Sequence, residues 1–343
     1  QSNSPLFIVD GFPVSSISDV PADEIETIDV LKDAASTAIY GARGANGVIL
    51  VTTKSAKEGK ISVKYSGYVQ MKKVAETLDV LDAQDYVFNQ WAYATAYNAT
   101  MGNAIGEYFG LGSANGNHYA EYADMRSHDY TDDLLRTTYS QNHSLSVSGG
   151  SDKTKVILSV NYMKDKGIRM NSGYSRWNAS VKVQQEIAKN LKLNFDARYY
   201  EVGLEGKNDL DMISTAFRYK PIDNPLGNGD YGGFGVGSVN VEDTSNPVLQ
   251  LNDYVRDNKR YGLRAQTSLA WEIIKGLTVT TDLGLGRSWN DNKDFQYGLT
   301  TKSGKPYAKW EKKDGWNVRS ATTVNWQVQG LGDDHSLSFL AGN

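Results

Sequence analysis

From Ile61 onward, apolar and polar positions alternate along the chain with a period of two. Ile61, Val63, Tyr65, Gly67 and Val69 interleave with Ser62, Lys64, Ser66, Tyr68 and Gln70. The pattern recurs at 156–162, where Ile157 is the one apolar residue on the polar face, and again at 177–183 and 191–199. Segments 261–273, 277–289 and 316–328 repeat it over 12–13 residues each. That is well beyond the ~5–6 residues of an ordinary soluble strand. Period two places one face of each strand in an apolar medium and the other in a polar one.

The connections between these strands alternate in length. Those at 149–153, 188–190, 274–276 and 329–334 are short, and those at 165–174, 203–259 and 290–315 are longer. Strands running up and down, with tight turns at one end and long loops at the other, describe an outer-membrane β-barrel. A soluble β-sandwich would alternate equally well but has no reason to sort its loops by length. Nine strands are counted from Ile61, the ninth at 336–341. Single-chain barrels of this class use even numbers and leave no open edge in lipid. The chain therefore reads as a stretch of a longer barrel. The long insertions have content of their own: 82–100 and 209–219 are helix candidates, and 224–237 is a glycine-rich loop.

The first ~60 residues follow a different rule. Leu6-Phe7-Ile8-Val9 is an apolar run closed by Asp10-Gly11, a buried strand and a turn. Pro21-Ala22-Asp23-Glu24 opens a helical turn, with proline and acids where a helix N-terminus favours them. Residues 27–31 suit a strand and 34–40 a helix. Gly41 to Gly47 is a glycine-punctuated loop, and 48–53 is a β-branched run that suits a buried strand. Together they form a small α+β unit.

Composition sharpens this. Tyr is 21 and Gly 33 while Pro is only 7, which suits long strands with aromatic ends. No apolar run exceeds four residues, so no helix of ~20 apolar residues crosses a bilayer. No basic and then apolar leader stands at the start. The 36 basic and 40 acidic side chains leave a formal charge of −4, with no general pull toward nucleic acid. Cysteine is absent, which excludes a disulfide scaffold, a thiol nucleophile and thiolate metal sites, and with only four histidines a multi-histidine metal site is not expected. Carboxylates are scattered and no Ser/His/Asp set stands out, so an enzyme is not expected and no cofactor is implied.

At this point the residues resemble a family. Pro5-Leu6-Phe7-Ile8-Val9-Asp10-Gly11-Phe12-Pro13 looks like the plug-domain signature of the SusC/RagA class of TonB-dependent transporters. The stretch from Ile25 to Ala34 is similar to its second block, and the stretch from Ala38 to Lys54 to its third and most specific one. The stretch from Ser140 to Gly150 resembles an early barrel strand. The resemblance implies a small α+β plug domain followed by antiparallel transmembrane β-barrel strands, part of a barrel of 22. It places the C-terminal part of the plug at 1–58 and barrel strands at 59–343, with extracellular loops near 73–140, 203–259 and 290–315. It implies active import of an oligosaccharide or peptide across the bacterial outer membrane. The implied partners are a SusD-like surface lipoprotein, the inner-membrane TonB complex and outer-membrane lipid. A soluble all-β binding or adhesion module, which needs no detergent, is the alternative.

Candidate residues follow. The plug signature residues Asp10, Gly11, Gly41, Arg43, Gly44 and Gly47 are expected to act structurally or in gating. The glycines would allow positive φ, and Arg43 would pair with a carboxylate of the plug or wall. Tyr231 and Phe234 could stack on sugar rings. Trp177, Trp271, Trp289, Trp316 and Trp326 at strand ends suit an interfacial girdle. Arg287 would snorkel there. Asp129, Asp132 and Asp133 read as a solvated loop.

Overall fold

The computed structural model of the chain describes residues 4–14, 16–17, 20–33, 41, 43–112, 116–206, 211–222, 225–227, 246–300, 304–329 and 337–342. The apolar runs of the first 60 residues form one sheet and the alternating segments another. The first sheet holds β1 (Leu6–Val9), β2 (Phe12–Val14), β3 (Ile25–Leu31) and β4 (Val48–Thr53), in the order β2-β1-β4-β3. β1 and β4 run parallel and the other pairs antiparallel. Val9, Val20 and Val51 form its core, packed by Ile17, Ile25 and Ile49. Asp10 and Gly11 have φ of 49° and 82° and join β1 to β2 as a two-residue turn. Asp-Gly is the pair that such a doubly left-handed turn favours. A 3₁₀ turn at Ala22–Glu24 precedes β3, where the proline and acids point to one.

The second sheet is a nine-stranded antiparallel meander, each strand paired with its sequence neighbours. Its strands are β5 (Gly59–Lys72), β6 (Thr138–Gly150), β7 (Thr154–Lys166), β8 (Gly173–Ala188), β9 (Leu191–Glu205), β10 (Tyr254–Ile274), β11 (Leu277–Gln296), β12 (Tyr307–Gln327) and β13 (Ser338–Gly342). β5 and β13 lie at its two edges, so the sheet is an open wall. The connection between β11 and β12 is only 297–306, because pairing continues from Trp289↔Asp314 to Gln296↔Tyr307. It is not a loop over 290–315. The Asn-, Asp- and Lys-rich stretches there hide a strand because both of their faces meet water, so the apolar alternation stops while the ladder goes on.

The two longest connections fold together. α1 (Ala83–Tyr97) starts at Asp82, whose carboxylate accepts from Asp85 N, and α2 (Ala99–Tyr108) starts at Asn98, which accepts from Met101 N. Each caps an otherwise orphaned N–H. Val87, Ala94, Ile105, Phe109 and Tyr122 from the first connection enclose Ile222 from the second. A further core joins α3 (Tyr130–Leu134), α4 (Asp211–Arg218) and α5 (Pro247–Asp253). Asp129 caps α3 through Thr131 N, and Asp133 bonds His128, so these acids serve a helix start rather than a solvated loop. The helix expected at 34–40 and most of the loop at 224–237 lie outside the described residues.

Candidate functional site where the first sheet meets the second

The site is the contact between the Asp10-Gly11 turn and the polar face of the wall. The wall's pairing register sorts its residues into rows. One row reads Ser146, Ser159, Ser180, Arg198, Arg264, Gly286 and Asn317 across β6 to β12. The next, one step toward the short turns, reads Ser148, Ile157, Lys182, Asp196, Gln266, Gly284 and Arg319. These rows face the first sheet.

Three successive carbonyls of the turn are each held by a wall side chain. Arg264 Nη1 donates to Val9 O at 3.3 Å, Gln266 Nε2 to Asp10 O at 2.7 Å, and Arg319 Nη1 to Gly11 O. A carbonyl oxygen has two lone pairs, and here the wall supplies a donor to each of the three. The Asp10 carboxylate points the other way. It accepts from Thr53 N at 2.9 Å and Thr53 Oγ1 at 2.7 Å, and meets Lys182 Nζ at 3.0 Å. Asp10 thus ties β1, β4 and β8 together.

A second anchor lies at the 3₁₀ turn. Glu24 Oε2 accepts from Arg198 Nη1 at 2.7 Å and from Ser180 Oγ at 3.2 Å. Asp23 accepts from Ser144 Oγ at 2.8 Å. Arg198 and Arg264 stand directly opposite one another on β9 and β10. Like charges at such positions repel unless countered. Asp196 answers Arg264 at 3.4 Å, and Glu24 of the first sheet answers Arg198. The wall's face at this level is rich in cations, and the first sheet supplies the missing acids.

The third feature is steric. A side chain on Gly284 would meet the Phe12 ring at 2.8 Å, and one on Gly286 would meet it at 3.3 Å. The paired glycines of β11 make a notch that seats Phe12, with the Arg264 guanidinium 5.3 Å from the ring centroid.

The signature residues split between the two ends of the first sheet. Asp10 and Gly11 stand at the wall, whereas the Gly47 carbonyl accepts from Leu6 N at the opposite end of β1. Gly47 has φ of 90°, and a Cβ there would meet Leu31 O at 3.2 Å, so this position needs glycine for closing the loop onto β4. Gly44 is buried and turns the loop back through its carbonyl, which accepts from Gly47 N. Gly41 has φ of 57°. Arg43 is exposed and makes no ion pair with a described carboxylate. Tyr231 and Phe234 lie outside the described residues. Sequence reasoning missed Glu24, Lys182, Arg198, Arg264, Phe12 and the two wall glycines. A readable signal existed: arginines and glycines in register with serines and asparagines on a strand's polar face.

The opposite face of the wall is apolar and open. Leu263, Leu283, Leu285, Trp316 and Val318 are all at least half exposed. Tyr162, Trp177, Tyr261 and Trp289 share one pairing row, with Tyr162 on Trp177 at 4.4 Å and Tyr261 stacked on Trp289 at 5.3 Å. Arg287 lies 5.1 Å from the rings of both Trp289 and Trp316 and forks onto Asp314. Tyr261 and Trp271, like Trp316 and Trp326, are ten residues apart on one face.

A family model described as TonB-dependent Receptor Plug Domain matches residues 1–48. TonB-dependent receptor P3 of Formosa agariphila is 33% identical over 292 residues, which are 82% of this chain and 26% of that protein. TonB-dependent receptor SusC of Bacteroides thetaiotaomicron is 35% identical over 218 residues, 60% of this chain and 19% of that protein. These residues belong to the SusC/RagA class of TonB-dependent receptors. The first sheet is part of the plug, and the second is a run of barrel strands. The chain spans about a quarter of the length of receptor P3. The solved RagAB peptide transporter shares the fold, with a TM-score of 0.77 at 18% identity over 99% of this chain and 41% of that one. The siderophore receptor PirA of Acinetobacter baumannii is more distant, with a TM-score of 0.52 at 14% identity.

Proposed function

We propose that this chain supplies the C-terminal part of the plug (1–58) and a sector of the barrel wall (59–343) of an outer-membrane importer driven by the TonB complex. Its cargo is an oligosaccharide or a peptide, and a SusD-like lipoprotein works with it at the cell surface. The observation that carries this is the seating of the Asp10-Gly11 turn on the barrel's polar face. Three turn carbonyls and two acids hold a small domain inside a wall whose other face is apolar.

The outer face supports the membrane setting. Ten residues at ~3.3 Å each span ~33 Å along a strand, or about 25 Å of height at a tilt of ~40°. That is the height of the apolar band of an outer-membrane barrel, with aromatic rings at its borders. A soluble module would have to hide this face. The relatives are named as receptors and transporters, which speaks against an enzyme. SusC is the relative that points to a SusD-like partner, and the likeness to the RagAB peptide transporter supports a peptide as cargo. Arg43 and the Gly41–Gly47 loop would respond when the plug is pulled.

The test is uptake by cells carrying the whole receptor, with and without a working TonB and with and without the receptor gene. Labelled peptides and oligosaccharides are offered separately. Uptake of either that needs both genes supports the reading. Uptake of neither, with the receptor present at normal level, overturns it.

A further inference from the structure

Two clefts lie between plug and wall, one on each side of Phe12. The upper one, toward the long loops, has a volume of about 300 Å³ and is bordered by Tyr200, Gly262, Ser288, Asn317 and Val14. The lower one, toward the short turns, has a volume of about 300 Å³ and is bordered by Gln184, Asn194, Ser268, Asp282 and Arg319. Phe12 borders both. Phe12 is 5% exposed, and its ring fills the notch between Gly284, which lines the lower cleft, and Gly286, which lines the upper one.

We infer that the passage for solute along this side of the barrel joins the two clefts over Gly286 and Gly284, and that the Phe12 ring is the group that closes it. Glycine in a strand interior gives up side-chain packing, and its place here is where another group must come close to the backbone. With Phe12 lifted out, the wall between the clefts presents only backbone at Gly284 and Gly286. The closure is mechanical because the ring belongs to the plug and its socket to the wall. Phe12 follows the Asp10-Gly11 turn directly, so any movement of that turn away from Arg264, Gln266 and Arg319 withdraws the ring. The lower cleft, bordered by Asp10, Lys182, Asn194, Asp196 and Arg319, is polar and suits a hydrophilic cargo, whereas the upper one is partly apolar through Val14, Val20 and Leu263. The inference rests on the transporter reading and adds to it where the path runs and which atoms block it.

The experiment uses the whole receptor, both in cells and purified into planar bilayers. TonB-dependent uptake in cells is measured in parallel with the conductance of the purified receptor to potassium chloride, with no TonB present. Phe12→Ala should raise the leak conductance above wild type. Phe12→Ala combined with Gly284→Phe returns a ring to the same space from the wall side. It should restore the low conductance yet lose TonB-driven uptake, because this ring cannot leave with the plug. A merely structural Phe12 would not give that split. If Phe12→Ala lowers the protein level, Phe12→Val at normal level decides. A conductance equal to wild type in either variant at normal level overturns the inference while leaving the transporter reading intact. Absence of TonB-dependent uptake in the wild type removes the transporter reading and the inference with it.

Discussion

Removing the charge of Glu24 should unfasten the 3₁₀ turn from the wall. Glu24 and Arg198 are 8% and 5% exposed and 2.7 Å apart, so water screens neither. Glu24→Gln keeps size and keeps an acceptor for Ser180 Oγ. What it removes is the counter-charge of a buried guanidinium that already faces Arg264 across the strands. Breaking one side of a buried pair costs about 3–5 kcal/mol, whereas losing one ordinary hydrogen bond costs about 1 kcal/mol. The charge effect therefore dominates. Lys54 N donates to Glu24 O at 2.8 Å, so the exchange of this amide with solvent deuterium reports whether the turn is seated. At 1.4 kcal/mol per decade, exchange should quicken by about two to three and a half decades. Arg198→Met alone strands the carboxylate and should act in the same direction. The double variant removes both charges and should return most of the protection. The reasoning is refuted if Lys54 exchange in Glu24→Gln stays within about a factor of three of wild type. It is refuted equally if the double variant exchanges as fast as the single one.

Other consequences can be measured more simply. Leu283 sits near the middle of the apolar band, so Leu283→Arg should cost about 2–4 kcal/mol and reduce the fraction of barrel that stays folded on an unheated gel, while Trp310→Arg, beyond the band, should not. Gly11 has φ of 82° with nothing within 4 Å of an added Cβ, so Gly11→Ala should cost about 1 kcal/mol through backbone strain alone, read as a lower melting temperature of the plug. Asp253 anchors the β11–β12 connection. Burial would raise its pKa, but hydrogen bonds from Thr300 and Gln296 side chains and from the Leu299 and Thr300 amides outweigh this and hold it down to about 2. A depressed folded-state pKa gives stability that is complete above the ordinary carboxyl value of 3.8 and lost as pH falls through about 2. The Leu299 and Thr300 amides should thus lose protection between about pH 4 and pH 2, and Asp253→Asn should remove this pH dependence.

The strands were legible because lipid and water impose opposite demands on alternate residues. The 316–328 alternation became part of β12, and the Asp10-Gly11 pair became the predicted turn. Legibility failed wherever that contrast vanished. Beyond Trp289 both faces of β11 are wet, so a continuing strand looked like a loop. Glu24 looked like an ordinary helix-start acid because its partner, Arg198, is 174 residues away. Phe12 was legible only as one letter of a signature, since nothing local places it against Gly284 and Gly286, more than 270 residues away. The glycine loop was legible as backbone geometry at Gly47, while the partner expected for Arg43 was a guess about distant residues that local pattern does not constrain.

The two sheets also differ in the order in which they can be built. Every strand of the wall bonds only to the strands next to it in sequence, so it can grow hairpin by hairpin with little loop to close at each step. Seating the plug is the opposite case. The bond from Arg319 to Gly11 spans 308 residues and that from Gln266 to Asp10 spans 256. The turn, which precedes every wall strand along the chain, must wait for its wall partners until β12 has been laid down. During assembly the plug is a late arrival despite being made early, and substitutions at the turn should leave strand pairing intact while slowing the final closure.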